Sequence, residues 1–297
     1  MRFCFRRFTF FMAIVAMAAS CVAQKPSSKT SIEDASKGFT EVETFQGTVN
    51  SESNLLKLDS TVGYDFNKHF GVFGGVPLYF AHVKATTTTA SSSNNGLGNL
   101  YLGFVVRAPN PTLDYAGAVT LGAPTGKTAN GFSSGRASID WTNRLEHSFD
   151  RLTPFFEGGL ANTVPDSVLF TRPFTSLGAI THLEEGAGYE LVKHFSVGAS
   201  AYQIVPFGNQ KIFSKLVKQG QSGQGRGRSG QIFATSATAS GNGLTRENGF
   251  SASVGFEPTP VWRVEIGYIR STTFDLNSFA FNLRMNVGKM LRSKKNS

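Results

Sequence analysis

Between Ser138 and Phe149 every even position is polar: Ser138, Asp140, Thr142, Arg144, Glu146 and Ser148. The odd positions include Ile139, Trp141, Leu145 and Phe149. A period of two sends these sets to opposite faces of a strand, whereas a helix would mix them. The pattern recurs along the chain. Leu56, Leu58, Val62, Tyr64 and Phe66 oppose Lys57, Asp59, Thr61 and Asp65, and Leu100, Leu102, Phe104 and Val106 share a face of the run that carries Arg107. Trp262, Val264, Ile266 and Tyr268 oppose Arg263 and Glu265, and Phe279, Phe281, Leu283, Met285 and Val287 oppose Asn282, Arg284 and Asn286. The polar faces are too charged for a soluble core, and the apolar faces carry Trp and Phe where water would be. An all-β, transmembrane antiparallel barrel, with hydrocarbon outside and a wet lumen inside, suits both.

The alternation predicts strands within residues 39–50, 55–66, 70–83, 97–108, 113–122, 138–149, 153–164, 174–191, 195–206, 249–257, 261–270 and 278–288. These make about twelve strands, an even number as bacterial barrels have. Tight connections fall near residues 67, 110, 150, 193 and 259, and longer polar ones near 52, 90, 130, 169, 225 and 274. Such barrels have short periplasmic turns and longer outer loops, so both termini are expected on the periplasmic side. Pro77 within a strand predicts a bulge or kink. Glu185 breaks the alternation around His182, Glu184 and Glu190, which also suggests a bulge. Residues 207–246 are rich in Gly, Gln and Ser and carry Lys211, Lys215, Lys218, Arg226 and Arg228. They read as a solvated, irregular outer loop, with anionic outer-leaflet headgroups of membrane lipid as the partner their charge would suit. A soluble β-sandwich, which also has short alternating strands, is the competing architecture.

Composition agrees with the barrel. The 297 residues hold 32 Gly and 27 Phe with 16% charged, where a disordered chain would be poorer in Phe and richer in charge. Residues 1–23 have the form of a secretory signal: Arg2, Arg6 and Arg7, an apolar core from Phe8 to Ala19, then Cys21-Val22-Ala23 before Gln24. A lipoprotein signal ending before Cys21 is the other reading. Residues 24–38 are expected to be a flexible periplasmic lead-in, 39–288 the barrel and 289–297 a basic tail. No later run of about eighteen apolar residues would make a helical span. The net charge of +9 could indicate nucleic acid. Export and the lack of basic clusters interleaved with aromatics argue instead for no nucleic-acid partner and a place in the outer membrane.

Several motifs resemble a bacterial outer-membrane family named for a meta-cleavage pathway of phenol degradation. They are Gly96-Leu97-Gly98-Asn99, Ala123-Pro124-Thr125-Gly126, Gly131–Gly135 leading to Asp140, and Gly75-Val76-Pro77-Leu78-Tyr79 upstream. The match covers the middle third, with strand rhythm elsewhere. Asn99 stands where the family has Asp, and the late loop and the tail are longer. The resemblance implies a small outer-membrane barrel with a role in the passage of small or hydrophobic molecules, and it implies no catalytic residue.

The expected lumen lining is Lys57, Asp59, Arg107, Asp140, Arg144, Glu146, His182, Glu184, Arg263, Glu265 and Arg284, with Asp65, Asp114 and Glu157 on the same faces. Mixed charges in a narrow interior imply cross-strand pairs. They would either orient a permeating solute or brace a closed barrel. A lipid hydrolase is the enzymatic alternative. His147 and Ser148 are adjacent strand residues on opposite faces, and no serine is placed to complete a triad with His182 and Glu184, so no enzyme is expected. No cofactor is implied, and the five scattered His show no metal-ligand spacing. The reading is a diffusive or facilitated route for small molecules, hydrophobic or aromatic ones included. A non-conducting structural or surface-binding barrel is the alternative.

Overall fold

The computed structural model describes residues 38–49, 53–84, 91–164, 166, 170–216, 237–240 and 246–295. The expected signal and the lead-in up to residue 37 lie outside these residues, and Gly38 already belongs to the first strand. The strands are β1 (Gly38–Val49), β2 (Ser53–Asp65), β3 (Phe70–Val83), β4 (Ser92–Leu97), β5 (Tyr101–Ala108), β6 (Asp114–Gly122), β7 (Ser138–Glu146) and β8 (Leu152–Ala161). They continue with β9 (Phe174–Leu177), β10 (Ile180–Val192), β11 (Phe195–Pro206), β12 (Gln210–Ser214), β13 (Ala237–Ser240), β14 (Glu247–Thr259), β15 (Trp262–Ser271) and β16 (Leu276–Met285). Helix α1 follows (Val287–Lys295).

Twelve strands close on themselves as an antiparallel barrel, β1-β2-β3-β5-β6-β7-β8-β10-β11-β14-β15-β16, with β16 returning to β1. Closure leaves the wall without an open edge, as hydrocarbon requires. One end, here called lower, carries tight turns whose local chemistry is visible in the sequence. The Asn67 side chain accepts the N–H groups of His69 and Phe70, and Asn110 accepts that of Thr112. Asp150 and His194 take positive φ at two further lower turns. The upper end carries the long loops.

The outer face is as the alternation requires. Leu102 is 62% exposed, Ile266 59% and Trp141 49%, and the phenylalanines Phe104, Phe156, Phe195, Phe250 and Phe279 stand out with them. β1 alternates less cleanly than its neighbours, because acids stand on its outward face. Glu41 and Glu43 pair with Val62 and Ser60 on the outward side, and the Ser60 hydroxyl donates to Glu43 at 2.8 Å.

Five expectations are corrected. Pro77 makes no bulge: β2 and β3 pair without a shift from Ser53–Val83 to Asp65–Gly71. The interruption is in the neighbouring strand. β3 pairs with β5 up to Gly75 and with β4 from Leu78, so the N–H that Pro77 lacks falls where residues 98–100 leave the ladder. The strand predicted over 97–108 is therefore two, and part of the polar loop before it, Ser92–Leu97, is strand. Glu185 makes no bulge either; pairing runs evenly through Glu185↔Ala201, and its side chain points outward. The strand predicted over 174–191 divides, because β9 leaves the wall to pair with β12 and only β10 remains in it. The last strand ends at Met285, and the basic tail begins as α1, whose first turn is capped by the Asn286 side chain accepting the Lys289 N–H at 2.8 Å.

Candidate functional site

The lumen is the one place where the fold gathers inward-facing charge, and it has two unlike halves. The upper half is filled. Residues 162–164, 166 and 170–179, 207–216 and the loop 123–137 fold into the mouth, where β9, β12 and β13 form a three-stranded sheet. Several inward residues at the upper strand ends are apolar: Leu55, Ala81, Ile180, Ile204, Ile269 and Leu276. They enclose Phe132, Phe170, Phe174, Ile212 and Leu216 in one buried cluster. A buried Phe contributes on the order of 2–3 kcal/mol, so this packing is a substantial fraction of a domain's net stability. At Gly131 (φ +70°) an added Cβ would run into the Ser214 carbonyl, so the close approach of the two loops needs glycine there.

Two buried charge clusters tie the loops to the wall. In the first, Lys215 reaches Asp166 at 3.2 Å, and the Tyr79 hydroxyl donates to the same carboxylate at 2.7 Å. The Lys215 ammonium also lies 4.3 Å from the Tyr79 ring centre, and Tyr79 stacks on Phe132. Burial alone would raise the Asp166 carboxyl, but the Lys215 and Lys57 charges and the Arg172 N–H hold it down at about 2. In the second, Arg172 makes a two-point pair with Glu247 at 3.0 and 3.3 Å, and the Tyr202 hydroxyl donates to Glu247 at 2.9 Å. Thr48 donates to the Thr171 carbonyl, and Thr171 bonds Gln46. The solvated loop expected at 207–246 is thus a packed insert over residues 207–216. Lys215, expected among its surface cations, is only 2% exposed, whereas Lys211 stays outside against Phe213. Lys218, Arg226 and Arg228 lie outside the described residues.

Sequence reasoning missed this insert, because Ile212, Phe213 and Phe170 stand in polar stretches without a period. The signal that was present is the apolar residue at the upper end of otherwise polar faces, as at Leu55 and Ile269.

The family-like motifs clasp one another at the break between β4 and β5. The Thr125 hydroxyl donates to the Gly98 carbonyl at 3.1 Å and accepts the Leu100 N–H at 2.8 Å, while Asn99 accepts the Gly126 N–H at 3.3 Å. A Cβ on Gly98 would collide with Tyr79 and Pro77. These residues shape the wall and hold no ligand-like geometry.

The lower and middle lumen holds most of the residues expected to line it. Lys57 pairs with Asp59 at 3.2 Å, and the Tyr101 hydroxyl donates to Asp59 at 2.9 Å. Arg107 pairs with Asp65 at 2.7 Å. Arg144 bridges Glu146 at 2.9 Å and Glu157 at 3.5 Å and lies 3.8 Å from the Phe155 ring centre. His182 Nε2 meets Asp140 at 3.0 Å, Thr142 donates to Asp140, and Glu184 accepts from Ser200. Arg263 and Arg284 are directly opposed across β15 and β16, and Glu265 opposes Asn282. No hydroxyl donates to His182 among the described residues; Thr142 bonds the Asp instead, and Ser148 bonds Thr153. Among the described residues no group of three metal-binding side chains gathers.

No family model matches the chain, and no curated protein matches its sequence. Solved structures do. An outer membrane channel from Pseudomonas putida F1 superimposes with a TM-score of 0.55 at 13% identity, over 87% of this chain and 98% of that one. The NanC porin gives 0.45 at 10% identity and the KdgM porin, in complex with disordered oligogalacturonate, 0.46 at 9%, each over 82% of this chain and 98% of the other. The first likeness shows that the chain has the fold of an outer-membrane channel.

Proposed function

We propose that the barrel sits in the outer membrane and offers small molecules, hydrophobic and aromatic ones included, a diffusive or facilitated route, with its upper mouth as the narrowest point. The observation that carries this reading is the closed twelve-stranded wall with apolar side chains outside and paired charges inside. The fold shared with the Pseudomonas putida channel and the motifs resembling the phenol meta-cleavage family support it. On this reading residues 1–23 direct export, the tight turns are periplasmic, and Asp140, Arg144, Glu146, His182 and Glu184 orient a solute in mid-lumen. Lys211 remains the described cation of the late loop that could meet anionic headgroups.

Planar-bilayer conductance of the refolded chain tests the route. Discrete steps are expected, with a size or ion preference altered by Asp140→Ala and Arg144→Ala. A second reading, a barrel closed at rest, is favoured by the packed mouth, since Phe170, Phe174 and Lys215 are almost fully buried there. A folded, heat-resistant barrel with no conductance would support that reading and defeat the first.

A further inference from the structure

Helix α1 leaves the wall just after β16, at the lower end of the barrel. It packs against β1, with Gly288 set against the backbone of Gly38 and Phe39. The outer wall beside that point is aromatic. The ring centres of Phe39 and Tyr64 are 4.7 Å apart and those of Tyr64 and Phe66 5.2 Å, and Phe39 and Phe66 stand exposed. Aromatic girdles of this kind mark the level at which hydrocarbon gives way to headgroups. Helix α1 therefore starts at that level. Val287, Met290 and Leu291 are spaced to share one side of it, and Leu291 is 58% exposed. The same spacing sets Lys289 and Arg292 on the other side, Lys294 and Lys295 follow, and the helix holds no acid.

The tight turns at this end repeat the charge. Lys68, Arg151 and Lys193 are exposed there, against the exposed acid Asp150. Glu41 stands on the outward side of β1 three residues above Gly38, and the cations of α1 outnumber it. A helix with an apolar side and a basic side, set at the rim of a lipid-facing wall, has the make-up of a segment that lies in the interface plane.

We propose that α1 is a membrane-surface element whose partner is anionic phospholipid. It lies along the bilayer at the lower end of the barrel, with Met290 and Leu291 below the headgroups. Its cations, together with Lys68, Arg151 and Lys193, form a basic collar on the lipid phosphates. The apolar side continues the aromatic rim, which already faces lipid. A stable protein partner would need about 20 residues a side, far more than this helix offers. The proposal rests on the outer-membrane reading, in which this is the periplasmic leaflet.

Spin-label EPR on the full chain refolded into liposomes tests it. The label is attached at Leu291→Cys, with Cys4→Ser and Cys21→Ser removing the other thiols. Its depth is read from collisions with oxygen, which concentrates in hydrocarbon, against those with a nickel chelate, which stays in water. In vesicles of phosphatidylcholine with phosphatidylglycerol the label is expected to be immersed, and in phosphatidylcholine alone it should shift toward water. Lys289→Gln, Arg292→Gln, Lys294→Gln and Lys295→Gln together should abolish that dependence on lipid charge. Heat-modifiable migration confirms that each chain is folded, and the comparison of the two lipids stays decisive if the fourfold variant fails to fold. A label equally wet in both lipids, or equally immersed in both, would overturn the proposal. So would an unchanged dependence on phosphatidylglycerol in the folded fourfold variant. A second label at Leu102→Cys, on the outer face of the wall, separates the two readings. If it too is in water, the membrane placement falls and the proposal with it; if it is immersed while the label at 291 stays wet, the α1 proposal alone falls.

Discussion

The two halves of the lumen hold charge in different settings. In the upper half, charges are few, almost fully buried and matched: Arg172 with Glu247, and Lys215 with Asp166, each backed by a tyrosine hydroxyl. In the lower and middle lumen, charges are more numerous; most also pair, as Arg107 does with Asp65 and Arg144 with Glu146 and Glu157, but Arg263 and Arg284 stand opposite one another. Burial explains the difference. Where apolar side chains exclude water, an unmatched charge is costly, so the upper pairs hold the inserted loops to one geometry. Where the lumen is more open, water can screen charge, and two cations in register are tolerated. The upper half therefore resembles a protein core and the lower half a solvated, charged lining.

The largest effect that would break this contrast is expected from Glu247→Ala. It leaves Arg172 buried without its anion, which costs about 3–5 kcal/mol. Urea unfolding in detergent should show the loss, and bilayer recordings should show a more open mouth. A folded variant of unchanged stability and conductance would mean that the latch holds nothing.

A smaller effect is expected from acid. The folded-state pKa of Asp166 lies below the unfolded value, so its stabilising contribution is complete above about pH 4 and is lost as the pH falls through about 2. Mouth opening should rise over that window and be pH-independent there in Asp166→Asn.

The smallest effect sharpens the lower half. Removing one of two opposed cations by Arg263→Gln should raise stability by a few tenths of a kcal/mol, measured by the same urea titration. A clear loss would show that Arg263 has a structural partner after all.

Much of the wall was legible from the sequence. The alternation in Ser138–Glu146, in Leu55–Asp65 and in Trp262–Arg270 assigns faces correctly because a strand has a period of two and each face here meets one solvent. The tight turns were legible because Asn67 and Asn110 carry their own hydrogen-bonding side chains. The break at residues 98–100 was not, since Leu97 and Leu100 both point outward only because residues 98–100 leave the ladder. Glu185 misled for a related reason: a lone acid on an apolar face looks like a register shift, whereas the ladder around it is regular.

The candidate site divides along the same line. The sequence by itself determined that charges face inward on most strands and aromatic and aliphatic side chains outward, because this follows from local periodicity. Only the tertiary structure decided which charges meet. Lys215 and Asp166 are 49 residues apart, and Arg172 and Glu247 are 75 apart. The segments of Asp166, Arg172 and Lys215 have no period to read, and apolar burial in the barrel mouth brings them to their partners. The opposition of Arg263 and Arg284 also depends on register, which ladder pairing and the turn between β15 and β16 set and which composition does not reveal.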